Sequence, residues 1–365
     1  MTLTPTATTP YPLFERYPAL TQTLPRVTLS DGPSPVSRLE AISRGSGQEV
    51  WIKNDGLYGT LYGGNKPRKL ELVLPRAMAT GARTVMTTGP LGTHHGLATA
   101  LLGRELGLKV ALLLTYQQPN AHIIRQLCRM QKAGAELHYV RSGPGIVLMA
   151  PYLALKYTGR DRGRRPYLLP PGGSTPLGAL GYVNAAFELA EQVKAGELPE
   201  PASIVLPVGT GGTAAGLALG LGLAGLQTKI VGVAITRAPT TWALTVRRLA
   251  AETAGVMRRN GVRDLPSRLA GVKVFGRWLG GGYGLATRES QEALQLMAAE
   301  EGVLLEPTYT AKTVAGLLSM CAGGDLRGPI LYWHTYDARL AGEADFGPAD
   351  YAALPREFRR FCPAA

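Results

Sequence analysis

A lysine stands where a glycine-rich turn gives way to a helical pattern, in the segment GGNKPRKLE at residues 63–71. Pro67 suits the first position of a helix, which predicts that Lys66 lies at the helix cap with its amine projecting from a fixed backbone. A lysine amine held in this way can form an imine with an aldehyde cofactor. Lys69, one helical turn later, is expected to be a solvated charge on the helix surface.

A second candidate site follows a buried strand, in the segment SIVLPVGTGGTAAGLALG at residues 203–220. Its glycine-rich turn exposes backbone N–H groups at the start of an apolar helix, where the helix dipole also favours an anion. The turn lacks the Gly-Lys-Ser/Thr of a Walker loop and the spacing of a dinucleotide fingerprint. It indicates either a phosphate site or a turn that only packs a helix on a sheet. Pyridoxal phosphate, with its aldehyde and its phosphate, would use the lysine and this corner together.

A third corner, TTGPLGTHHGLATA at residues 87–100, places Thr93, His94 and His95 at the start of a predicted helix. Hydroxyl and backbone donors there could bind a carboxylate, although a threonine at this place also serves as an ordinary helix N-cap. Adjacent histidines point about 100° apart on a helix, so they do not share a metal ion. The remaining histidines have no helical partner at metal spacing. We therefore expect no metal site.

Alternating strands and helices must position these corners. Short β-branched runs predict strands at residues 49–54, 84–89, 109–116, 136–140, 203–208, 229–235 and 329–335, and helical patterns lie at 93–106, 121–134 and 290–302. The alternation is typical of parallel sheets covered on both faces, so the predicted fold class is α/β with open doubly wound sheets. The apolar run at 214–226 is too short to span a bilayer and is predicted to be a buried helix.

Composition narrows the class of protein further. The chain has 365 residues, of which 45% are hydrophobic and 18% charged, so it is long enough for two domains. Its net charge of +13 comes from scattered arginines without a basic run and interleaved aromatic residues, which argues against a nucleic-acid partner. Three widely spaced cysteines, and an N-terminus without a basic start and apolar core, predict a cytoplasmic protein without a membrane anchor. The first 25 residues or so are expected to pack as an irregular arm.

Six segments occur together in an order and spacing that resemble a known family. They are GGNKPRKLE, TTGPLGTHHG, LPPGGSTPLGALGYVNAAFEL, PVGTGGTAAG, LEPTYTAKTVAGL and LYWHT, within roughly residues 25–340. They resemble the 1-aminocyclopropane-1-carboxylate deaminase and D-cysteine desulfhydrase family, which are fold type II pyridoxal-phosphate enzymes with the tryptophan-synthase-β fold. The resemblance implies pyridoxal 5'-phosphate as cofactor, a small amino acid as substrate and a homodimer. It also implies two open doubly wound domains, a smaller one at 67–172 inserted into a larger one formed by 1–66 and 173–365.

The resemblance also implies roles for particular residues. Lys66 would hold the cofactor and afterwards move the α-proton of the substrate, with Asn65 beside it among the cofactor-binding residues. The other cofactor-binding residues would be Thr210, Gly211, Gly212 and Thr213 at the phosphate, Tyr309 against the pyridine ring, His94 at the phenolic oxygen, where the family has an asparagine, and Thr335.

Substrate contacts are implied in the same way. Thr93 falls where the family has a serine that binds the substrate carboxylate or helps in proton transfer, and Tyr283 falls where the family has a tyrosine near the substrate. With Lys66 and Tyr309 they make up the catalytic group that the resemblance implies.

Two positions bear on which reaction the resemblance implies. Deaminases of the family follow the ring tyrosine with a glutamate facing the pyridine nitrogen, whereas here Tyr309 is followed by Thr310. Thr335 matches the neutral hydroxyl that faces this nitrogen in desulfhydrase-like members. A neutral partner makes the ring a weaker electron sink, which suits expulsion of a good leaving group. The predicted activity is therefore D-cysteine desulfhydrase-like α,β-elimination, giving a 2-oxo acid and ammonia.

Three alternatives stay open at this point. They are deamination of 1-aminocyclopropane-1-carboxylate, β-replacement by a nucleophile, and a catalytically silent ligand-binding homologue. The family's HTGG reads HTYD at residues 334–337, and a histidine stands at position 94. These larger side chains would reshape the pocket, so the substrate itself is left open.

Overall fold

The computed structural model describes residues 10–141, 143–237, 239–265, 268–339 and 346–363. The strands are β1 Val36–Arg38, β2 Val50–Asn54, β3 Thr84–Pro90, β4 Lys109–Thr115, β5 Glu136–Val140, β6 Tyr167–Leu169, β7 Ser203–Val208, β8 Lys229–Ala234, β9 Val272–Phe275 and β10 Ile330–His334. The helices are α1 Pro12–Arg16, α2 Ala19–Thr23, α3 Glu40–Ser46, α4 Asn65–Ala79, α5 His94–Glu105, α6 Ala121–Lys132, α7 Gly143–Arg160, α8 Pro176–Lys194, α9 Gly212–Ala224, α10 Ala243–Arg259, α11 Arg288–Glu300, α12 Thr310–Ala322, α13 Pro348–Ala353 and α14 Arg356–Arg359.

The larger of two sheets has six strands in the order β1-β2-β10-β7-β8-β9. Its neighbouring strands are parallel except β1, which pairs antiparallel with β2. Side chains of β10 alternate between two buried cores, because Leu331 and Trp333 face one core while Tyr332 faces the other. A sheet covered on both faces needs apolar strands along their whole length, which is what the sequence of β10 supplies.

The smaller sheet has four parallel strands in the order β5-β4-β3-β6. These strands are consecutive in the chain, whereas those of the larger sheet come from before and after them. The C-terminal helices return to the smaller sheet, since Leu354 and Phe358 lie in the same buried core as side chains of β3 and β4. The domain limits expected from the sequence stay a prediction.

The α/β fold class predicted from the sequence is confirmed. Each of the seven predicted strands is present to within one residue at either end, and the predicted buried helix is α9, whose side chains are buried from Gly212 to Gly222. The expectation of an irregular N-terminal arm is wrong for its described part, because α1 and α2 form there and bury Leu13 and Leu20 against the larger sheet's core. In the described ranges, no helix is both long and apolar enough to cross a membrane.

Helix α4 joins the two halves of the molecule, because it packs on α8 beside the larger sheet and on α5 beside the smaller one. Its Arg68 belongs to a buried ion network, pairing with Asp55 and with Glu188 at 2.8 Å each. Glu188 also pairs with Lys53 at 2.6 Å. Burial alone would raise the pKa of the Glu188 carboxyl, but the charges of Arg68 and Lys53 hold this pKa at about 2. Two cations and two anions therefore neutralise one another inside the protein.

Candidate functional site

The three corners singled out in the sequence meet at one cavity of about 370 Å³. It lies where β3, β7 and β10 end, which is where parallel α/β sheets place their ligands. All the residues predicted for the site line it: Asn65, Lys66, Thr93, His94, Thr210, Gly211, Gly212, Thr213, Tyr283, Tyr309 and Thr335. The structure therefore brings together side chains from both halves of the chain, while the role of each residue remains a prediction.

Lys66 is the second residue of α4, so the prediction that it caps the helix is wrong. Gly64 is the N-cap instead, because its φ of 78° suits glycine and because a Cβ there would lie 2.5 Å from the Thr335 carbonyl oxygen. Burial lowers the pKa of the Lys66 amine to about 8, against the opposing effect of Glu306. A much larger fraction of this amine is therefore neutral near physiological pH than in water.

The glycine turn before α9 forms a cradle of hydrogen-bond donors. Gly211 is its N-cap with a φ of 80°, and the Gly212 N–H donates to the Ser174 hydroxyl at 3.2 Å. Ser174 and Thr210 hydroxyl oxygens lie 2.6 Å apart, and a Cβ on Gly212 would come within 2.5 Å of Ser174 Oγ. On the far side, the Asn65 amide donates to Thr213 Oγ1 at 3.2 Å. This combination of a helix N-terminus and convergent hydroxyls suits an anion.

Lys69 also faces this cradle, so the expectation of a solvated surface charge is wrong. Only 2% of the residue is exposed, and its amine donates to the Gly172 carbonyl at 3.1 Å and to Ser174 Oγ at 3.3 Å. The physical reason is its position three residues after Lys66, which puts both lysines on the same face of α4. Burial, and then the Lys66 charge, hold the pKa of Lys69 well below its usual range. Among the described residues no carboxylate pairs with it.

Like Lys69, His95 is buried in the cavity wall with part of its hydrogen-bonding capacity unused in the described structure. It is buried in the cavity wall, its Nε2 lies 3.1 Å from Thr87 Oγ1, and its Nδ1 has no hydrogen-bond partner in the part of the chain that the structure describes. The ring lies beside Gly173 and close to the Lys69 side chain. Ser174, Lys69 and His95 were missed as site residues in the sequence. Helical spacing from Lys66 was the one signal that could have found Lys69.

Two tyrosines that line the same cavity as Lys66 form a hydrogen-bonded pair. The hydroxyl oxygens of Tyr283 and Tyr309 lie 2.7 Å apart, and the rings meet edge to face with centroids 5.8 Å apart. Burial raises the pKa of Tyr309 to about 12 and that of Tyr283 well above 10. Both hydroxyls therefore keep their protons at neutral pH, and since one donates to the other, one proton of the pair is left to donate elsewhere.

The third corner combines a helix cap with a neutral imidazole. Thr93 caps α5, since its Oγ1 accepts the Gly96 N–H at 3.1 Å, and its own hydroxyl proton stays available to the cavity that it lines. His94 Nδ1 lies 3.2 Å from the Tyr62 hydroxyl and 3.0 Å from the Gln126 amide nitrogen. Burial, followed by the charges of His122 and Lys66, holds the pKa of His94 well below 6.5. Its ring is thus an uncharged hydrogen-bonding group.

A buried carboxylate, Glu306, lines the cavity and was missed in the sequence. Its oxygens accept the backbone N–H groups of Thr308, Tyr309 and Thr310 at 2.6–2.8 Å, so it closes the first turn of α12. Thr310 is fully buried and bonds to Glu306. The Thr335 carbonyl accepts the Asn65 N–H at 3.3 Å, whereas its hydroxyl has no hydrogen bond within the described ranges.

A metal centre would need several ligand side chains that converge on one point. Within the ranges that the structure describes, no group of three or more His, Cys, Asp or Glu side chains converges as a metal ion would require. Besides the carboxylates of Glu306 and Asp337, the polar side chains of the cavity are hydroxyls, amines, an amide and neutral imidazoles, which suit an organic anion.

Comparison with known proteins identifies the class. The sequence profile of the pyridoxal-phosphate-dependent enzyme family matches residues 27–335, and the chain belongs to that family. A Pyrococcus furiosus protein provisionally named 1-aminocyclopropane-1-carboxylate deaminase is 34% identical over 318 residues, covering 87% of this chain and 93% of that protein. The Salmonella paratyphi A D-cysteine desulfhydrase is 33% identical over 319 residues, covering 85% and 93%.

Solved structures agree with this assignment. A crystal structure of an ACC deaminase homologue matches with a TM-score of 0.76 at 32% identity, covering 94% of this chain and 99% of that chain. Serine racemase from Dictyostelium discoideum, at 16% identity and a TM-score of 0.61 over 92% and 98% of the two chains, shares the fold. The protein is a pyridoxal-phosphate-dependent enzyme of fold type II.

The residues of the cavity fit this cofactor. Lys69, the unpaired His95 Nδ1 and the turn at Gly211–Gly212 are the residues that would hold its dianionic phosphate. The Lys66 amine, with its lowered pKa, lines the same cavity and suits an aldehyde.

Proposed function

We propose that this enzyme removes a β-substituent from a small amino acid, as a D-cysteine desulfhydrase does, and releases a 2-oxo acid and ammonia. The observation that carries this proposal is the Thr335 hydroxyl, which lines the cavity without a hydrogen-bond partner in the described ranges. The carboxylates of the cavity, Glu306 and Asp337, are already held by backbone N–H groups. A neutral hydroxyl is therefore the group left to face the cofactor's ring nitrogen.

The chain's own residues divide the work of the reaction. Thr93 and the N–H groups at the start of α5 bind the substrate carboxylate, since a helix N-terminus favours an anion. Lys66 Nζ takes the α-proton, because its pKa of about 8 leaves a neutral fraction at physiological pH. The Tyr283–Tyr309 pair holds a proton on its hydroxyls and passes it to the leaving group. Pyridoxal phosphate, when bound, supplies an electron sink for the α-carbon.

Substrate size follows from the lining of the cavity. Its titratable cations are Lys66 and Lys69, and no arginine is present among its lining residues to pair with a carboxylate on a substrate side chain. Hydroxyl groups from threonine and tyrosine make up much of the remaining polar surface. A short, uncharged β-substituent is therefore the best fit.

Deamination of 1-aminocyclopropane-1-carboxylate is the second candidate, favoured by the name of the Pyrococcus furiosus relative. The deciding experiment measures 2-oxo acid release from D-cysteine, L-cysteine, β-chloro-D-alanine and the cyclopropane substrate. We expect the β-substituted D-amino acids to react faster. A preference for the cyclopropane would replace the first proposal with the second. New amino acids formed with added thiols would indicate β-replacement, and no turnover of any amino acid would indicate a silent homologue.

A variant pair tests the role of Thr335. Thr335→Glu places a carboxylate where the neutral hydroxyl stands, and we expect it to slow elimination or to shift the ratio of rates towards ring opening. Thr335→Ser keeps the hydroxyl and serves as the matched control. Equal rate ratios in the two variants would contradict the role.

We also propose that the enzyme works in the cytoplasm as a homodimer, with residues 67–172 as the inserted small domain. The free cysteines Cys128, Cys321 and Cys362 support a reducing compartment. The separate four-stranded sheet supports the domain division. Light scattering coupled to gel filtration tests the oligomeric state, and a mass of one chain would contradict it.

A further inference from the structure

One buried carboxylate outside the groups assigned above touches the turn that carries the lysine. Asp337 has a side chain that is 1% exposed, and its Oδ2 accepts the Gly63 N–H at 2.6 Å. Its Oδ1 accepts both the backbone N–H and Nε of Arg339 at 3.0 Å each. A carboxylate buried this deeply is stable only because every bond to it comes from a strong donor.

Arg339 extends the contact to the other end of the same turn. Its Nη1 donates to the Gly59 carbonyl at 2.7 Å, so the turn from Gly59 to Gly64 is held at both ends. The fit leaves no spare room: a Cβ on Gly63 would lie 2.1 Å from the Gly56 carbonyl oxygen and 2.7 Å from Arg339 Nη2. The turn therefore cannot shift without breaking these bonds.

The two segments joined in this way lie side by side in the cavity wall, where the Asn65 N–H donates to the Thr335 carbonyl at 3.3 Å. The turn leads directly into Lys66, and the segment after β10 carries Thr335 and Tyr336. The distance between the lysine and the ring-facing hydroxyl is thus set by contacts between chain segments some 270 residues apart. The family pattern described above has glycine at positions 336 and 337, so the carboxylate is a feature of this chain.

We propose that Asp337 and Arg339 act as a positioning latch, which fixes the turn at residues 59–64 and thereby the Lys66 amine relative to Thr335. This rests on the proposed role of Lys66. Asp337 and Arg339 act through the backbone and do not themselves take part in proton transfer. A displacement of about 1 Å at a reacting group costs up to about 100-fold in rate, so a loosened turn is expected to lower turnover more than substrate binding.

Asp337→Asn tests the latch, because the amide keeps the size of the side chain but replaces one acceptor oxygen with a donor. That donor must face either the Gly63 N–H or the Arg339 guanidinium, and both are donors themselves. The control is Asp161→Asn, a side chain also 1% exposed, which accepts from Thr84 on the smaller sheet. The two variants remove equally buried carboxylates, and only one of these contacts the turn.

Three measurements on the holoenzymes are expected to separate the variants. Amide hydrogen exchange at Gly63 rises about 10-fold or more in Asp337→Asn, since this N–H donates to the Asp337 carboxylate. The pH midpoint of the bound cofactor's visible absorbance moves, because the lysine sits differently. The kcat value falls about 10-fold to 100-fold while KM stays within about 3-fold. Asp161→Asn leaves exchange and absorbance as in the wild type.

Wild-type exchange and an unmoved absorbance midpoint in Asp337→Asn would overturn the proposal, as would equal changes in Asp161→Asn. Should Asp337→Asn not fold, Arg339→Gln keeps the Gly63 bond and loses the bond to Gly59, so a smaller change in the same direction is expected. No change there would also overturn it. Exchange and absorbance need no turnover, so they test the latch even if the proposed elimination fails.

Discussion

Two neighbouring residues of α4, Arg68 and Lys69, have buried basic side chains in opposite surroundings. Arg68 is fully buried between Asp55 and Glu188, and these two carboxylates balance it and Lys53. Lys69 is buried to a similar degree but contacts only a carbonyl and a hydroxyl in the described structure. The pKa of Lys69 is consequently held well below its usual range, as is expected of an amine in a dry site without a counter-ion.

The difference separates a group that is paired within the fold from a group that we propose binds a ligand. The ion network around Arg68 is complete within the chain, so it needs nothing further. Lys69 has no carboxylate partner among the described residues, although it is the next residue after Arg68 in α4. A buried charge with no internal partner is thus a better sign of function than a buried charge as such.

Lys66→Ala is expected to have the largest effect, because it removes the group that we propose moves the α-proton. We expect kcat to fall by at least about 10³-fold and covalent attachment of the cofactor to be lost. Borohydride reduction and peptide mapping of the wild type check the attachment, with the label expected on Lys66. A label on Lys69, Lys53 or Lys312 would contradict the assignment.

Glu188→Gln removes one carboxylate of the buried ion network around Arg68, and we expect it to destabilise the fold. Removing one partner of a buried ion network leaves an uncompensated charge, which costs about 3–5 kcal/mol in the free energy of unfolding. Urea unfolding of the apoprotein measures it. Glu252→Gln is the control, because its pair with Arg248 is exposed and is worth about 0.5 kcal/mol. Equal losses in both variants would mean that burial does not matter here.

Lys69→Met sharpens the comparison because two quantities are expected to move in opposite directions. Loss of a charged hydrogen bond to the phosphate costs about 1.5–3 kcal/mol, or about 10-fold to 150-fold in cofactor affinity. The apoprotein is expected to become more stable, because an unpaired amine leaves the interior. Cofactor titration and urea unfolding check the two signs. A less stable apoprotein would show that Lys69 belongs to the fold instead.

The last expected effect is a pH dependence of apoprotein stability. The Lys66 amine has a pKa of about 8 in the folded protein and its usual value of 10.5 when unfolded. Between these pH values the unfolded chain binds more protons, so raising the pH increases the free energy of unfolding. The Lys66→Met apoprotein lacks this contribution, and the difference between the two unfolding curves isolates it. A flat difference between pH 8 and pH 10.5 would exclude a lowered pKa.

The longer strands of the two sheets could be predicted from the sequence, because each is a short run rich in β-branched, leucine or aromatic residues. The strands β1, β6 and β9 could not, since they have three or four residues and lie at sheet edges. Such short segments owe their conformation to the neighbouring strand rather than to their own residues.

The site shows the same division between local and distant causes. Lys66 and the glycine turn at 209–212 could be recognised as site residues from the sequence, because a helix start and a glycine-rich turn are local features. Arg68 and Lys69 give no local sign of their different roles, because their partners Glu188 and Ser174 lie more than 100 residues away. Glu306 was overlooked because it precedes α12 by four residues and acts on that helix's backbone.

Strand β10 lies in the middle of the larger sheet, between β2 and β7, and is its last strand in chain order. During synthesis β2 and β7 therefore leave the ribosome before β10, and the edges that face it stay unpaired until residues 330–334 have been added. The smaller sheet needs no such delay, because its strands are consecutive. Chains truncated before β10 are thus expected to contain Lys66 and the glycine turn but to aggregate through their unpaired strands.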